Sequence, residues 1–311
     1  HNVIDIMEEQ KAIWFSGARI QPVVQGMELA LELDRNTWYD LYQRNPIERF
    51  AEQYWKENGI DGWEEYKTIP DRLYIGNAFC HLLFPKEEQL FALMEKAIVE
   101  NVEITLVFPC MREFQVEERG KFLKKVDNWC EKRQTRVEIL VNDWGMTALV
   151  KESGKHLEPC LGVLLNKQKK DPRMRYKKGS TRGLGESNLQ ADFYRTFLKD
   201  TYGITRYEWE SCGYPQAFPQ GKNSLHLPYY QTNTSQYCPL YASCTEGERG
   251  KQRLPEHCPG YCEQYAYLYP EHLHMAGRYN SLFGLDEELV KHPEKLKAYQ
   301  QAGIDRLVIG L

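Results

Sequence analysis

Cysteines carry the densest chemistry in this chain. Cys238-Pro-Leu-Tyr-Ala-Ser-Cys244 is followed by His257-Cys258-Pro-Gly-Tyr-Cys262, a spacing of C-x5-C-x13-C-x3-C. Thiolates at this density hold a soft metal or an iron–sulfur cluster, because each sulfur supplies one strong, deprotonated ligand. The intervening prolines and glycine suit a loop that folds around a compact ion or cage. The rhythm approaches that of a zinc site, but the tight C-x2-C knuckles of zinc ribbons are absent. Ordinary thiols or disulfides are the plainer alternative.

Other residues could bind or move protons. The run Lys167 to Lys178 contains Lys169, Lys170, Arg173 and Arg175. It could steer a dicarboxylate or an RNA backbone, with Tyr176 stacking on a base, or it is simply a solvated loop. Glu208 and Glu210 share one face of a strand. In a barrel mouth they would form an acid–base pair, and on an outer face, the commoner outcome, they would meet helix cations. Asn142-Asp143 precedes Trp-Gly, where Asp143 either serves a substrate or caps a helix. His272-Leu-His274 would place both rings on one side only in a strand. No G-x-S-x-G elbow or H-E-x-x-H helix supports peptide hydrolysis.

Length and composition bound these readings. The 311 residues are 42% hydrophobic and 27% charged, with no apolar run long enough to span a bilayer. The start His1-Asn2-Val3 lacks a signal-peptide pattern. A net charge of −4 argues against indiscriminate nucleic-acid coating. Nine cysteines is an odd number in a chain long for a disulfide scaffold, which points to a reducing cytoplasm.

The elements that must position these groups follow an alternating rhythm. Residues 1–68 read as a helical extension, with Ile13-Trp14-Phe15 a short strand, Trp38 to Trp55 a helix, and scope for a first barrel strand. From residue 69, strands are expected at 72–76, 102–108, 137–141, 160–165, 204–209, 265–268 and 306–309. Helices lie between them, among them one with Leu90, Met94, Ala97 and Ile98 on its apolar face and one over 289–302. Such alternation implies parallel pairing, and the six or seven strands favour a TIM-like (β/α) barrel, an α/β fold, over 69–311. Chemistry then belongs at the carboxyl ends of the strands. Asn77, Cys80, Cys110, Arg112, Asn142, Asp143, Asn166 and Cys212 fall there, with the loop 226–264 above them.

Several segments carry a family resemblance. Asp71-Arg-Leu-Tyr-Ile-Gly-Asn-Ala-Phe-Cys80 and Val137-Glu-Ile-Leu-Val-Asn-Asp-Trp-Gly145 resemble two strand-and-turn motifs of the UbiU/UbiV-like branch of the collagenase-like U-family peptidase superfamily. Leu227-Pro-Tyr229 with Tyr241-Ala-Ser-Cys244, the pair Cys258 and Cys262, and Gly303-Ile-Asp-Arg-Leu-Val-Ile309 are similar to later motifs, in order. The resemblance implies a TIM-like fold with a [4Fe–4S] cluster on Cys80, Cys258, Cys262 and either Cys244 or Cys238. It further implies oxygen-independent hydroxylation or oxygen-atom transfer from a small-molecule oxygen donor to a small-molecule or RNA acceptor, and a similar cluster-bearing protein as partner. Arg278, in a segment similar to one lining the family's site, would pair with a substrate carboxylate. The alternatives are a non-catalytic cluster-bearing subunit, a structural zinc protein that binds RNA, and a peptidase. A final strand with no covering helix leaves a surface that would suit a partner subunit.

Overall fold

The fold is given by a computed structural model that describes residues 4–18, 26–60, 69–176, 183–214, 216–251 and 253–311. Alternation drives its central element. In Glu28–Leu33 (β2), Leu29, Leu31 and Leu33 pack outward, whereas Ala30 joins an inner group with Tyr74, Val107, Leu140, Cys160 and Val308. β2 is followed by β3 (Arg72–Gly76), β4 (Glu103–Val107), β5 (Val137–Val141), β6 (Leu157–Leu161), β7 (Arg206–Glu210), β8 (Lys222–Leu227) and β13 (Ile304–Ile309). All eight pair in parallel, and β13 joins both β2 and β8 to close the barrel. This is the expected α/β TIM-like architecture.

Helices cover the outside. They include α2 (Asn36–Arg44), α3 (Ile47–Glu57), α4 (Glu87–Val99), α5 (Val116–Lys132), α6 (Trp144–Ser153) and α7 (Asp192–Tyr202). α5 buries Phe122, Val126, Trp129 and Cys130, as its spacing predicts. On α4, however, Leu93 replaces Ile98 on the buried face, and Ile98 is exposed. The segment 38–55 divides at Asn45-Pro46, because proline cannot continue a hydrogen-bonded turn. Pro293 likewise splits 289–302 into α9 (Glu288–Lys291) and α10 (Leu296–Gln301). Ile13 and Trp14 end a helix, α1 (Met7–Trp14), rather than forming a strand.

A second sheet lies over the barrel mouth. It is antiparallel, in the order β1 (Ile4–Ile6), β10 (Tyr265–Tyr267), β11 (Met275–Arg278), β12 (Ser281–Leu285) and β9 (Tyr229–Thr234). The expected strand at 265–268 therefore belongs to this lid and not to the barrel rhythm. The place left in the barrel is filled by β8. The cysteine loop joins β9 to β10 and contains one helix, α8 (Pro239–Glu246). Leu311 is 1% exposed, so the end of the described chain is a buried contact and not the open surface expected there. Among the described residues, no helix is long and apolar enough to cross a membrane.

The floor of the lumen is ionic. Arg306 reaches both Glu138 oxygens at 2.8 Å and donates to Glu28 Oε2 at 3.0 Å, while Arg72 bridges the same two carboxylates. Burial opposes charge on Glu138, but Arg306 and Arg72 outweigh it and hold the carboxyl down at about 2. Removing one partner strands the other charge. Arg306→Met is expected to destabilise the fold by about 3–5 kcal/mol, read from chemical denaturation midpoints. Glu138→Met added to it should cost less than the sum of the two single changes. A loss under about 1 kcal/mol would be incompatible with a pairing that supports the barrel.

Candidate functional site

The mouth cavity lies between the carboxyl ends of the barrel strands and the lid sheet. Glu32, Asn77, Glu210 and His226 line it from below, and Tyr229 and Arg278 from above. At its wall Gly310 has no room for a side chain, since a Cβ there would lie 2.1 Å from Glu32 Oε2. Glu32 is thereby held against His226.

His226 is the central titratable group. Its Nδ1 lies 2.9 Å from Glu32 Oε1, and its Nε2 lies 3.4 Å from Glu208 Oε1. The phenol of Tyr74 also hydrogen-bonds Glu208, and Arg306 donates to Tyr74 at 2.9 Å. The mouth is thus wired to the ionic floor. Burial disfavours the imidazolium, but Glu208 and Glu32 outweigh it and lift His226 to about 10. Glu208, fully buried, is lowered despite desolvation because it faces that cation. The outer-face expectation for Glu208 and Glu210 is therefore corrected: Glu208 points into the lumen toward Tyr74 and His226, and Glu210 lines the mouth cavity, where it pairs with Lys170.

Arg278 is 3% exposed and stacks 4.1 Å above the Tyr229 ring. Its Nη2 donates to the main-chain oxygen of Leu311 at 3.3 Å and to Tyr279 Oη at 3.0 Å, and lies 3.5 Å from Asp34 Oδ2. Arg278 Nε and Tyr229 Oη are buried without a hydrogen-bond partner among the described residues. Two donors left open beside a cavity match an anionic or carbonyl ligand group.

The cysteine loop stands beside this cavity. Asn280 donates to Phe79 O at 2.8 Å and to Ser235 O at 2.6 Å, clamping the turn that carries Cys80 to the segment that carries Cys238. Asn77 Oδ1 accepts the N–H groups of Phe79 and Cys80, so it shapes that same turn. Main-chain N–H groups of Tyr241 and Gly260 point at the sulfurs of Cys238 and Cys258, each at 3.4 Å. Burial raises the thiols of Cys80 (to about 12), Cys238 and Cys262. Mutual repulsion adds to this: in every pair among Cys80, Cys238, Cys258 and Cys262, the charge of one sulfur raises the other. Cys244 stands at the edge of the group, coupled to Cys258 and Cys238. All are free thiols, and among the described residues no three ligand side chains converge closely enough to hold a single ion.

Other expected site residues have structural partners. Asn142 binds Phe108 O at 2.8 Å and accepts from Leu164 N, joining three strand ends. Asp143 caps α6 through Met146 N and also accepts from Met111 N. In the basic loop, Lys170 forms a buried pair with Glu210, Arg173 grips Asp171, and Lys169 donates to Gly183 O. The three cations are thus engaged within the chain. Arg175 lies in the turn Pro172–Tyr176, and its side chain is outside the described part. His272 and His274 sit at a 3-10 turn and not in a strand, and His274 pairs with Glu287. Sequence reasoning passed over His226, Asp34, Arg35 and Tyr229. The alternation Leu225-His226-Leu227 was the available signal, since it turns His226 away from the apolar face.

The raised pKa of His226 fixes a pH dependence. Its pairing stabilises the fold fully below the ordinary value of 6.5, and that contribution is lost as pH rises through about 10. Nitrogen-15 NMR of labelled imidazoles should show a doubly protonated His226 at pH 8. A neutral tautomer there would remove the proposed ion triad. No protein-family model, curated protein or solved structure matches this chain.

Proposed function

We propose that this chain is an iron–sulfur protein that binds a small anionic substrate at the barrel mouth and supports oxygen-independent hydroxylation or a related oxygen-atom transfer. The observation that carries this reading is the adjacency of two features: a group of mutually coupled free thiols and a cavity with unpaired Arg278 and Tyr229 donors. The ligand chemistry is consistent with a cluster. The N–H groups aimed at Cys238 and Cys258 stabilise thiolate charge, as a cluster ligand requires.

Cys80, Cys238, Cys258 and Cys262 are assigned as the ligands of a [4Fe–4S] cluster, with Cys244 spare. Such a cluster supplies one-electron chemistry or an iron site for an oxygen donor. The protein's own groups have separate tasks. Arg278 orients a carboxylate or similar group in the cavity, and Tyr229 donates a second hydrogen bond. His226, charged and flanked by Glu32 and Glu208, holds a proton at the cavity wall. The family resemblance supports the hydroxylation class, and nothing at the mouth arranges a nucleophile for peptide cleavage.

Anaerobic reconstitution tests the assignment. The wild-type chain should take up about four irons with matching sulfide and show a broad absorption shoulder near roughly 400 nm. Alanine at Cys80, Cys238, Cys258 or Cys262 should abolish or halve iron retention, whereas Cys244→Ala should keep it. A colourless protein with one bound zinc would replace this reading with a structural zinc site. Full retention in Cys238→Ala together with loss in Cys244→Ala would exchange the two ligands.

A further inference from the structure

Arg35 occupies a buried position for which the mouth chemistry has no use. It is 4% exposed, and its guanidinium is only partly satisfied. Nη1 meets the thioether of Met7 at 3.1 Å, and Nη2 donates to Leu311 O at 3.2 Å. Nε lies 3.3 Å from Asp34 Oδ1, yet neither atom gains an aligned hydrogen bond.

Two independent anchors bring this cation against Cys262. Glu263, the next residue, accepts the N–H groups of Asn36 and Thr37 at 3.2 and 3.3 Å, in the first turn of α2. Met7 N donates to Gln264 O at 2.8 Å, tying the start of α1 to the other side of the same turn. The turn of Cys262 is therefore held against Arg35, through Met7 on one side and Asn36 and Thr37 on the other. The surrounding charges are unequal. Arg35 and Arg278 are buried cations, Asp34 is the buried carboxylate between them, and burial with the two guanidinium charges pushes the nearby Lys11 ammonium well below its ordinary range. Glu263 adds a negative charge at the rim, and Glu8 acts on Lys11 from the surface side. Positive charge in excess is costly to bury unless an anion stands next to it.

We propose that Arg35, opposed by Glu263 at the rim, sets the reduction equilibrium of the cluster held by Cys262 and its partners. The inference rests on the cluster reading above. A thiolate-ligated cluster becomes more negative when it gains an electron, so a fixed neighbouring cation favours the reduced form. Glu263 acts in the opposite sense. Its hydrogen bonds to the N-terminal turn of α2 fix it in place and moderate its charge.

Redox titration of the reconstituted protein with dithionite, followed by electron paramagnetic resonance, tests this directly. Iron and sulfide content are measured on the same samples. Arg35→Gln is expected to load iron as the wild type does and to lower the reduction equilibrium constant by about tenfold, a shift of about 59 mV for one electron. Arg35→Lys, which keeps the charge, should stay within about threefold of wild type, and Glu263→Gln should move the constant upward by about threefold. Loaded Arg35→Gln protein with an unchanged constant would overturn the proposal and leave the cluster reading intact. If Arg35→Gln does not fold, an unchanged constant in Glu263→Gln overturns it instead. A wild-type protein that takes up no iron removes the cluster reading and this inference together.

Discussion

The ion network across the barrel lumen is the constraint on which the rest of this structure depends. Arg306 and Arg72 tie Glu28 and Glu138 together, closing β13, β2, β3 and β5 from the inside. Apolar layers are the usual filling of such a lumen, because they pack without desolvation cost. Here charged side chains must satisfy one another, and each fixes the next. Tyr74 carries the chain of contacts upward from Arg306 to Glu208, and Glu208 passes it to His226 and Glu32. The imidazolium at the mouth is therefore held by the same pairing that holds the barrel closed. A group wired in this way is preorganised, since its partners cannot reorient without unpairing buried charges.

The lid sheet converts that barrel into a site. Without it the strand ends would open to solvent, and Arg278 and Tyr229 would have no cavity to face. β9 leaves the barrel directly after β8, and β11 returns across the mouth with Arg278 at its end. Asn280, two residues on, then clamps both the Cys80 turn and the segment before Cys238. One short stretch, Arg278 to Asn280, thus lines the cavity and assembles the cysteine group. This explains how thiols far apart in sequence meet: the lid brings the later cysteines to the early one.

The barrel was legible in the sequence because its strands are apolar runs separated by amphipathic helices. β3, β4 and β5 lie where their β-branched residues predict, and α5 buries the expected face. β8 was missed because Asn223, Ser224 and His226 break its apolar pattern: Ser224 and His226 face a lumen that is itself polar, and Asn223, on the other face, accepts from Trp209 Nε1 and donates to Pro219 O. The same cause hid Glu208 and Glu210. Carboxylates on alternate positions look like an outer face until arginines elsewhere in the chain are known to point inward. The cysteine group was visible from spacing alone. The choice between Cys238 and Cys244 stayed open in the sequence, because the approach of the Cys238 segment to the Cys80 turn depends on Asn280 and on the lid. In the basic loop, composition shows the cations but not Glu210 and Asp171, which engage Lys170 and Arg173.

Asp34 and Arg35 show how closely the two centres are joined. They are adjacent in sequence, just beyond the end of β2, and a bend there sends their side chains to different neighbours. Asp34 lines the mouth cavity, where it meets Arg278 and the Tyr279 hydroxyl. Arg35 faces Met7 and the turn of Cys262. Any anion entering the cavity beside Arg278 competes with Asp34 for that guanidinium. A freed Asp34 would turn its charge more fully toward Arg35, weakening the field Arg35 exerts on the thiols. Were the proposed ligand and cluster both in place, binding at the mouth and electron affinity at the cysteines would be coupled through one carboxylate, and by linkage the coupling would run equally in both directions.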